Sequence, residues 1–140
     1  MIKEQKFKKA YAKELLEIAQ GDLESARVLL GSKKGRKENV CFIAQQAVEK
    51  SIKSVLCFLG TPVPFTHNLD VLIDRIPKNF ELKNSKYFNE LSEYATIRRY
   101  ENGNFELDLD DLEASIELAT TAVRWAKSII EPKAKKSKKS

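Results

Sequence analysis

The pattern of apolar positions predicts that residues 40–60 form the central helix of a helical bundle. At 3.6 residues per turn most of the helix circumference is apolar, with one stripe formed by Cys41, Val48, Ile52, Val55 and Leu59. The polar residues occupy only a narrow strip, made of Gln45, Gln46, Glu49, Lys50 and Lys53. Glu49 and Lys53 are four residues apart, in the order that stabilises an exposed helix face. Gly60 and then Pro62 predict where this helix ends.

Two further segments have the spacing of helices that pack lengthwise against a neighbour. Within residues 8–30 the apolar side chains recur at steps of four and three, at Ala12, Leu16, Ala19, Leu23, Ala26 and Leu30. Residues 110–130 repeat this spacing at Leu112, Ile116, Ala119, Val123, Ala126 and Ile130. Gly21 interrupts the first helix, which we interpret as a close crossing or a kink. Acidic residues at the start of the last helix complement the helix dipole, at Asp108, Asp110, Asp111 and Glu113.

The remaining chain predicts two more helices. Thr66 or Asn68 is expected to cap a short helix that Pro77 ends. Another long helix is predicted over residues 84–99, and no alternating strand pattern recurs. The predicted fold class is therefore all-α, an antiparallel four-helix up-and-down bundle with one additional short helix.

The distribution of charge predicts a boundary between a folded domain and a tail near the end of the chain. The net charge is +5, but the last nine residues hold five lysines and no acid, and residues 1–131 hold 20 basic and 20 acidic residues. We therefore expect one folded domain over residues 1–131 and a disordered, solubilising tail over residues 132–140. A role for this tail in salt-sensitive binding to phosphates is the alternative.

Several classes of protein have no support in the sequence. No apolar run approaches the ~20 residues of a membrane span, and the N-terminal residues lack the apolar core of a signal peptide, so we expect a cytoplasmic protein without membrane contact. Cys41 and Cys57 are 16 residues apart and are expected to be small buried residues. Two cysteines and one histidine make no zinc signature, and dinucleotide, P-loop and zinc-protease motifs are absent, so we expect no metal and no cofactor.

Three features are candidates for chemistry. His67, the only histidine, is either a general base or a residue that caps or packs at a helix start. Residues 31–37 combine two glycines with four positive charges and form either a solvated turn or a phosphate-binding loop. Arg98 and Arg99 precede Tyr100 at a predicted helix end, which indicates either an internal salt bridge or an anion site at a groove or dimer seam.

Four segments together resemble a known family. They are Ala19–Ala26 with the pattern A-x-x-D-L-x-x-A, Phe42–Lys53, Pro64–Leu69 with the turn THNL, and Arg98–Tyr100. In this order, over about residues 8–131, they resemble the HEPN domain, a helical bundle named for nucleotide binding in higher eukaryotes and prokaryotes. The resemblance implies a homodimer, and a minimal nucleotidyltransferase as partner in a toxin–antitoxin-like pair.

Catalytic members of that family are metal-independent ribonucleases with the motif R-x(4–6)-H. On this chain the arginine falls on Arg98 or Arg99 and the histidine should fall within residues 103–106, where Asn104 is the nearest polar substitute. The preferred interpretation is therefore a non-catalytic dimeric module that binds nucleotide, RNA or protein. The contacts expected for it are Arg98, Arg99, Tyr100, Lys50, Lys53 and His67. The alternatives are a ribonuclease that uses Arg98 or Arg99 with Asn104 or His67, and a purely structural dimer held by apolar helix faces.

Overall fold

The computed structural model describes residues 3–32, 34–88 and 108–132. Within them the α-helices are α1 (Tyr11–Gly31), α2 (Lys37–Phe58), α3 (Leu69–Asp74) and α4 (Leu109–Ile130). Two short 3-10 helices span Lys78–Phe80 and Ser85–Tyr87, and two short strands, β1 (Glu4–Gln5) and β2 (Val63–Pro64), pair antiparallel. The all-α prediction is confirmed.

Helix α2 packs against both α1 and α4 and contacts α3 and β2 as well. Its apolar stripe is enclosed over most of its length, because Val48, Ile52 and Val55 expose none of their surface. A helix that is apolar around most of its circumference can bury that surface only with neighbours on several sides. The predicted central position of this helix is therefore confirmed.

The directions of the three long described helices follow from their contacts. Ala12 and Leu15 near the start of α1 pack with Cys57 near the end of α2, so these two helices are antiparallel. Cys41 Sγ lies 3.2 Å from Ser115 Oγ, and Val55 packs with Ala126, so α2 and α4 are parallel.

In an up-and-down bundle each long helix runs opposite to the one before it. Antiparallel α1 and α2 with parallel α2 and α4 fit this order if one further long helix lies between α3 and α4 in the chain. Of the helix predicted over residues 84–99, the structure describes residues 84–88, which include the 3-10 helix Ser85–Tyr87, and residues 89–107 lie outside the described part of the chain. The order of four long helices therefore stays a prediction. The lysine-rich tail likewise lies outside the described residues from position 133 onward.

Helix ends follow from local chemistry. Gly60 has φ +74°, its N–H donates to the Cys57 carbonyl at 3.1 Å, and the Thr61 N–H donates to the Leu56 carbonyl at 2.9 Å. This is a Schellman motif, and the predicted stop at Gly60 is confirmed. At the start of α4, Asp108 and Asp111 form a reciprocal capping box, in which each carboxylate accepts the other residue's backbone N–H, at 2.9 and 3.1 Å.

Two features differ from the sequence predictions. Helix α1 continues through Gly21, which is exposed and has no described atom within 4 Å of the position a Cβ would take, so the predicted close crossing is wrong. Strands β1 and β2 were not predicted, because two residues each are too few to show an alternating pattern.

Cys41 and Cys57 are both buried thiols, as predicted. Cys57 Sγ donates to the Lys8 carbonyl at 3.2 Å, and burial raises the pKa of this thiol. Among the described residues, no helix combines the length and the apolar composition that a membrane crossing requires.

Candidate functional site

The polar strip of α2 is only partly open to solvent. Gln45 and Glu49 expose 4% and 3% of their surface, whereas Lys50 and Lys53 are half-buried. Glu49 and Lys53 do pair, but the expectation that this face is exposed is wrong, because the Glu49 carboxylate is buried. The reason is tertiary, since the turn that follows β2 places His67 directly against Glu49.

Local hydrogen bonds shape that turn. The Thr66 hydroxyl accepts the Asn68 N–H at 3.0 Å. Asn68 Oδ1 then accepts the N–H groups of Asp70 at 2.8 Å and Val71 at 3.3 Å, so that Asn68 caps α3. Leu69 follows with no exposed surface and anchors the turn in the core. Of the two caps predicted from sequence, the structure selects Asn68.

Glu49 is the centre of a polar cluster. Its Oε2 accepts from Lys53 Nζ at 2.9 Å, and His67 Nδ1 lies 2.9 Å from Oε2 and 3.1 Å from Oε1. Gln45 Nε2 donates to the His67 carbonyl at 3.4 Å. Residues 45, 49 and 53 of α2 share one face because they are spaced at four-residue intervals. The buried carboxylate thus has a cationic partner and further hydrogen bonding, which a charge removed from water requires.

A second ion pair lies beside this cluster and joins α2 to α1. Lys50 Nζ lies 2.8 Å from Asp22 Oδ2, and their side chains expose 27% and 25% of their surface. Lys50 and Lys53 are candidate nucleotide contacts, and each of them already donates to a carboxylate. An ammonium group carries three N–H donors, so each lysine keeps the chemistry needed to contact a phosphate as well.

His67 combines a fixed ring with an exposed edge. Its side chain is 82% exposed, although Nδ1 faces Glu49. When Nδ1 donates its proton to the carboxylate, Nε2 is left as an acceptor, which is the tautomer of an oriented general base. The same contacts also fasten the turn to α2. Within the ranges the structure describes, no group of three metal-ligating side chains occurs.

Sequence analysis identified Lys50, Lys53 and His67 and missed the acidic half of this site. Asp22 entered the sequence analysis as part of a family pattern, and Glu49 as a pairing partner of Lys53 rather than as a site residue. The four-residue spacing of Gln45, Glu49 and Lys53 was the available signal. Four of the predicted site residues lie outside the described part of the chain, namely Arg98, Arg99, Tyr100 and Asn104.

The comparison with protein families gives a match over most of the chain. A family model described as the HEPN domain matches residues 12–135, a range that includes α1 from its second residue onward, α2, α3, α4 and the polar cluster. The chain belongs to the HEPN domain family, which confirms the resemblance seen in the sequence. Membership supports a nucleotide- or RNA-related module in general terms. Neither the comparison with curated proteins nor the one with solved structures found a match.

Proposed function

We propose that this protein is a non-catalytic HEPN module that binds nucleotide or RNA as a homodimer, with a minimal nucleotidyltransferase as its protein partner. The observation that carries the proposal is the family match over residues 12–135 in a chain whose only histidine is His67. Arg98 and Arg99 retain the cationic half of the ribonuclease motif without a histidine in residues 103–106.

The chemistry of the motif explains why binding is favoured over cleavage. An arginine stabilises negative charge on phosphate, but cleavage of RNA also needs a group that takes the proton from the attacking 2′-hydroxyl. Asn104 cannot accept and release a proton near neutral pH. The two arginines therefore retain the chemistry of anion recognition, and Tyr100, the next residue in the chain, supplies an aromatic ring.

The test is a binding measurement on the purified full chain. We expect fluorescence anisotropy to detect affinity for short single-stranded RNA or for a nucleotide, and we expect Arg98→Ala and Arg99→Ala to weaken that affinity. Arg124→Ala, which changes an exposed arginine of α4, serves as the control. Light scattering should give twice the chain mass, and co-expression should show whether a nucleotidyltransferase from the neighbouring reading frame co-purifies. A monomer without affinity for nucleotide, RNA or that partner contradicts the proposal.

A metal-independent ribonuclease is the second candidate, and one contact favours it. Glu49 orients His67 through Nδ1 while 82% of that side chain stays exposed, so Nε2 is placed to accept a proton. This candidate requires RNA cleavage that persists in EDTA and disappears in both His67→Ala and Arg98→Ala. Lys83→Ala, which changes an exposed lysine outside the cluster, controls for a contaminating nuclease. An uncleaved RNA substrate excludes this candidate.

A further inference from the structure

A cavity of about 180 Å³ opens beside the half-buried lysines of α2. It lies between the N-terminal segment, the first turns of α1, the polar strip of α2 and strand β2. Its wall combines three aromatic rings with charged side chains, contributed by Phe7, Tyr11, Phe65, Glu49, Lys50 and Lys53.

The aromatic side of this cavity is held in place and open to solvent. Phe65 is 54% exposed, and its backbone N–H donates to the Lys3 carbonyl at 2.7 Å, which continues the β1–β2 pairing. The Phe7 and Tyr11 rings lie 5.3 Å apart between centroids and are tilted by 38°. An exposed ring on a fixed backbone loses little conformational freedom when another ring stacks on it.

The N-terminal segment that contributes Phe7 to the cavity carries an excess of positive charge. Residues 3–9 contain four exposed lysines and one acid, Glu4, which pairs with Arg75. Asp22 and Glu49 are paired with Lys50 and Lys53 respectively, so the lysines of the N-terminal segment are not offset by these carboxylates. Lysines that alternate with aromatic rings favour a ligand that carries both a π-face and phosphates.

The size of the cavity limits what enters it. A cavity of ~150 Å³ can hold one benzene ring, whereas pockets that enclose a drug-sized ligand measure ~300–1,000 Å³. The space beside Phe65, about 180 Å³, therefore suits a single aromatic ring system but not a whole nucleotide. The sugar and phosphate of such a ligand would remain outside the cavity, which Lys50 and Lys53 line.

We propose that this cavity, the Phe65 pocket, holds one base of a single-stranded RNA. The base stacks against Phe65 and the Phe7–Tyr11 pair, and the flanking phosphates contact Lys50, Lys53 and the lysines of residues 3–9. This assignment rests on the proposed RNA-binding function and gives it a second contact region besides Arg98 and Arg99.

The first experiment measures the stacking contribution. Base–aromatic stacking contributes ~1–3 kcal/mol per base, so we expect Phe65→Ala to weaken binding of a fluorescein-labelled eight-nucleotide single-stranded RNA by at least about fivefold. Phe65→Tyr should restore most of the affinity. Tyr87→Ala removes an exposed aromatic ring that does not line the Phe65 pocket and should leave affinity unchanged. Equal affinity of the wild type and Phe65→Ala overturns the proposal.

The second experiment measures the phosphate contacts. Each phosphate contact to a single strand contributes about 0.7 to the slope of log affinity against log salt. Lys50→Gln and Lys53→Gln should therefore each lower that slope by about 0.7, and the exposed Lys83→Gln should not. Circular dichroism establishes that each variant is folded, and Lys50→Gln, which leaves the buried Glu49 pair intact, is the decisive one. An unchanged slope in Lys50→Gln overturns the predicted phosphate contacts.

Two outcomes separate this proposal from the proposed function. If wild-type protein binds RNA, Arg98→Ala abolishes binding and Phe65→Ala does not reduce it, the Phe65 pocket fails while the general function stands. If wild-type protein binds no RNA but binds a nucleotide or the nucleotidyltransferase, the Phe65 pocket fails as an RNA site while the proposed function stands. Adenosine monophosphate that competes as tightly as the eight-nucleotide RNA identifies a mononucleotide site and overturns the assignment to a strand.

Discussion

Two neighbouring ion pairs of α2 have nearly the same nitrogen–oxygen distance but very different exposure to solvent. Lys50 Nζ lies 2.8 Å from Asp22 Oδ2, and Lys53 Nζ lies 2.9 Å from Glu49 Oε2. The Asp22 side chain is 25% exposed and the Glu49 side chain only 3%. Distance alone would rank the two pairs as equals, whereas burial separates them.

The two carboxylates differ in their access to water, and this difference sets how much each ion pair contributes to stability. Asp22 stays in contact with solvent, so its attraction to Lys50 is screened and largely offset by the cost of ordering two side chains. Glu49 is removed from solvent and relies on Lys53 and His67 to replace its hydration. We therefore expect the first pair to tolerate change and the second to hold α2 to the turn before α3.

The largest expected effect is that of Lys53→Met. This change leaves the Glu49 carboxylate buried with His67 as its remaining side-chain partner, and breaking a buried pair in this way costs about 3 kcal/mol of the free energy of unfolding. Lys50→Met is the matched control, with a cost below ~1 kcal/mol, because Asp22 can regain water. Urea denaturation followed by circular dichroism measures both values. Equal losses in the two variants would show that burial does not separate the pairs.

A smaller effect is expected from His67→Ala. A hydrogen bond to a charged group contributes about 1.5 kcal/mol, and the loss should appear in the free energy of unfolding. His67→Gln, whose amide can donate to Glu49, should recover part of the loss. Since both residues share Glu49, the double variant Lys53→Met/His67→Ala should deviate from the sum of the single changes. Strict additivity would contradict a shared cluster.

Gly21→Ala tests helix α1 at the residue before Asp22. Because Gly21 is exposed within a continuous helix and a Cβ would meet no described atom, alanine should raise the free energy of unfolding by up to ~1 kcal/mol. Gly60→Ala should instead lower it, since Gly60 has φ +74°. Thermal denaturation of the two variants compares the signs. A destabilised Gly21→Ala would indicate a close neighbour at this face.

The smallest expected effect is that of Asp22→Asn. We expect a loss of about 0.5 kcal/mol at low ionic strength that disappears in ~1 M salt, because salt screens exposed pairs. A double-mutant cycle with Lys50→Met isolates the pair from other contacts of Asp22. The loss from Lys53→Met should persist in the same salt. If the loss from Asp22→Asn also persisted in ~1 M salt, the Lys50–Asp22 pair would be as shielded from solvent as the Lys53–Glu49 pair.

Much of the fold could be predicted because its signals are local. The spacing of apolar residues predicted α1, α2 and α4 to within a few residues of their observed ends, and Gly60 and Asn68 act through hydrogen bonds to near neighbours in the chain. The i,i+4 pair of Glu49 and Lys53 was likewise predictable, since both residues lie on one helix. The family could be recognised for a related reason, as its motifs are short and occur in a fixed order.

The sequence by itself thus determined α1, α2, α3 and α4 to within a few residues, the central position of α2 and the family. Only the tertiary structure decided which polar residues are buried, that Lys50 pairs with Asp22 at 28 positions' distance, and that Phe65 meets Phe7 and Tyr11 around one cavity. The physical reason is that periodicity records which face of a helix is apolar, whereas solvent access depends on the segment that returns to cover it. His67 reaches Glu49 from 18 residues further along the chain, and no local pattern specifies that contact.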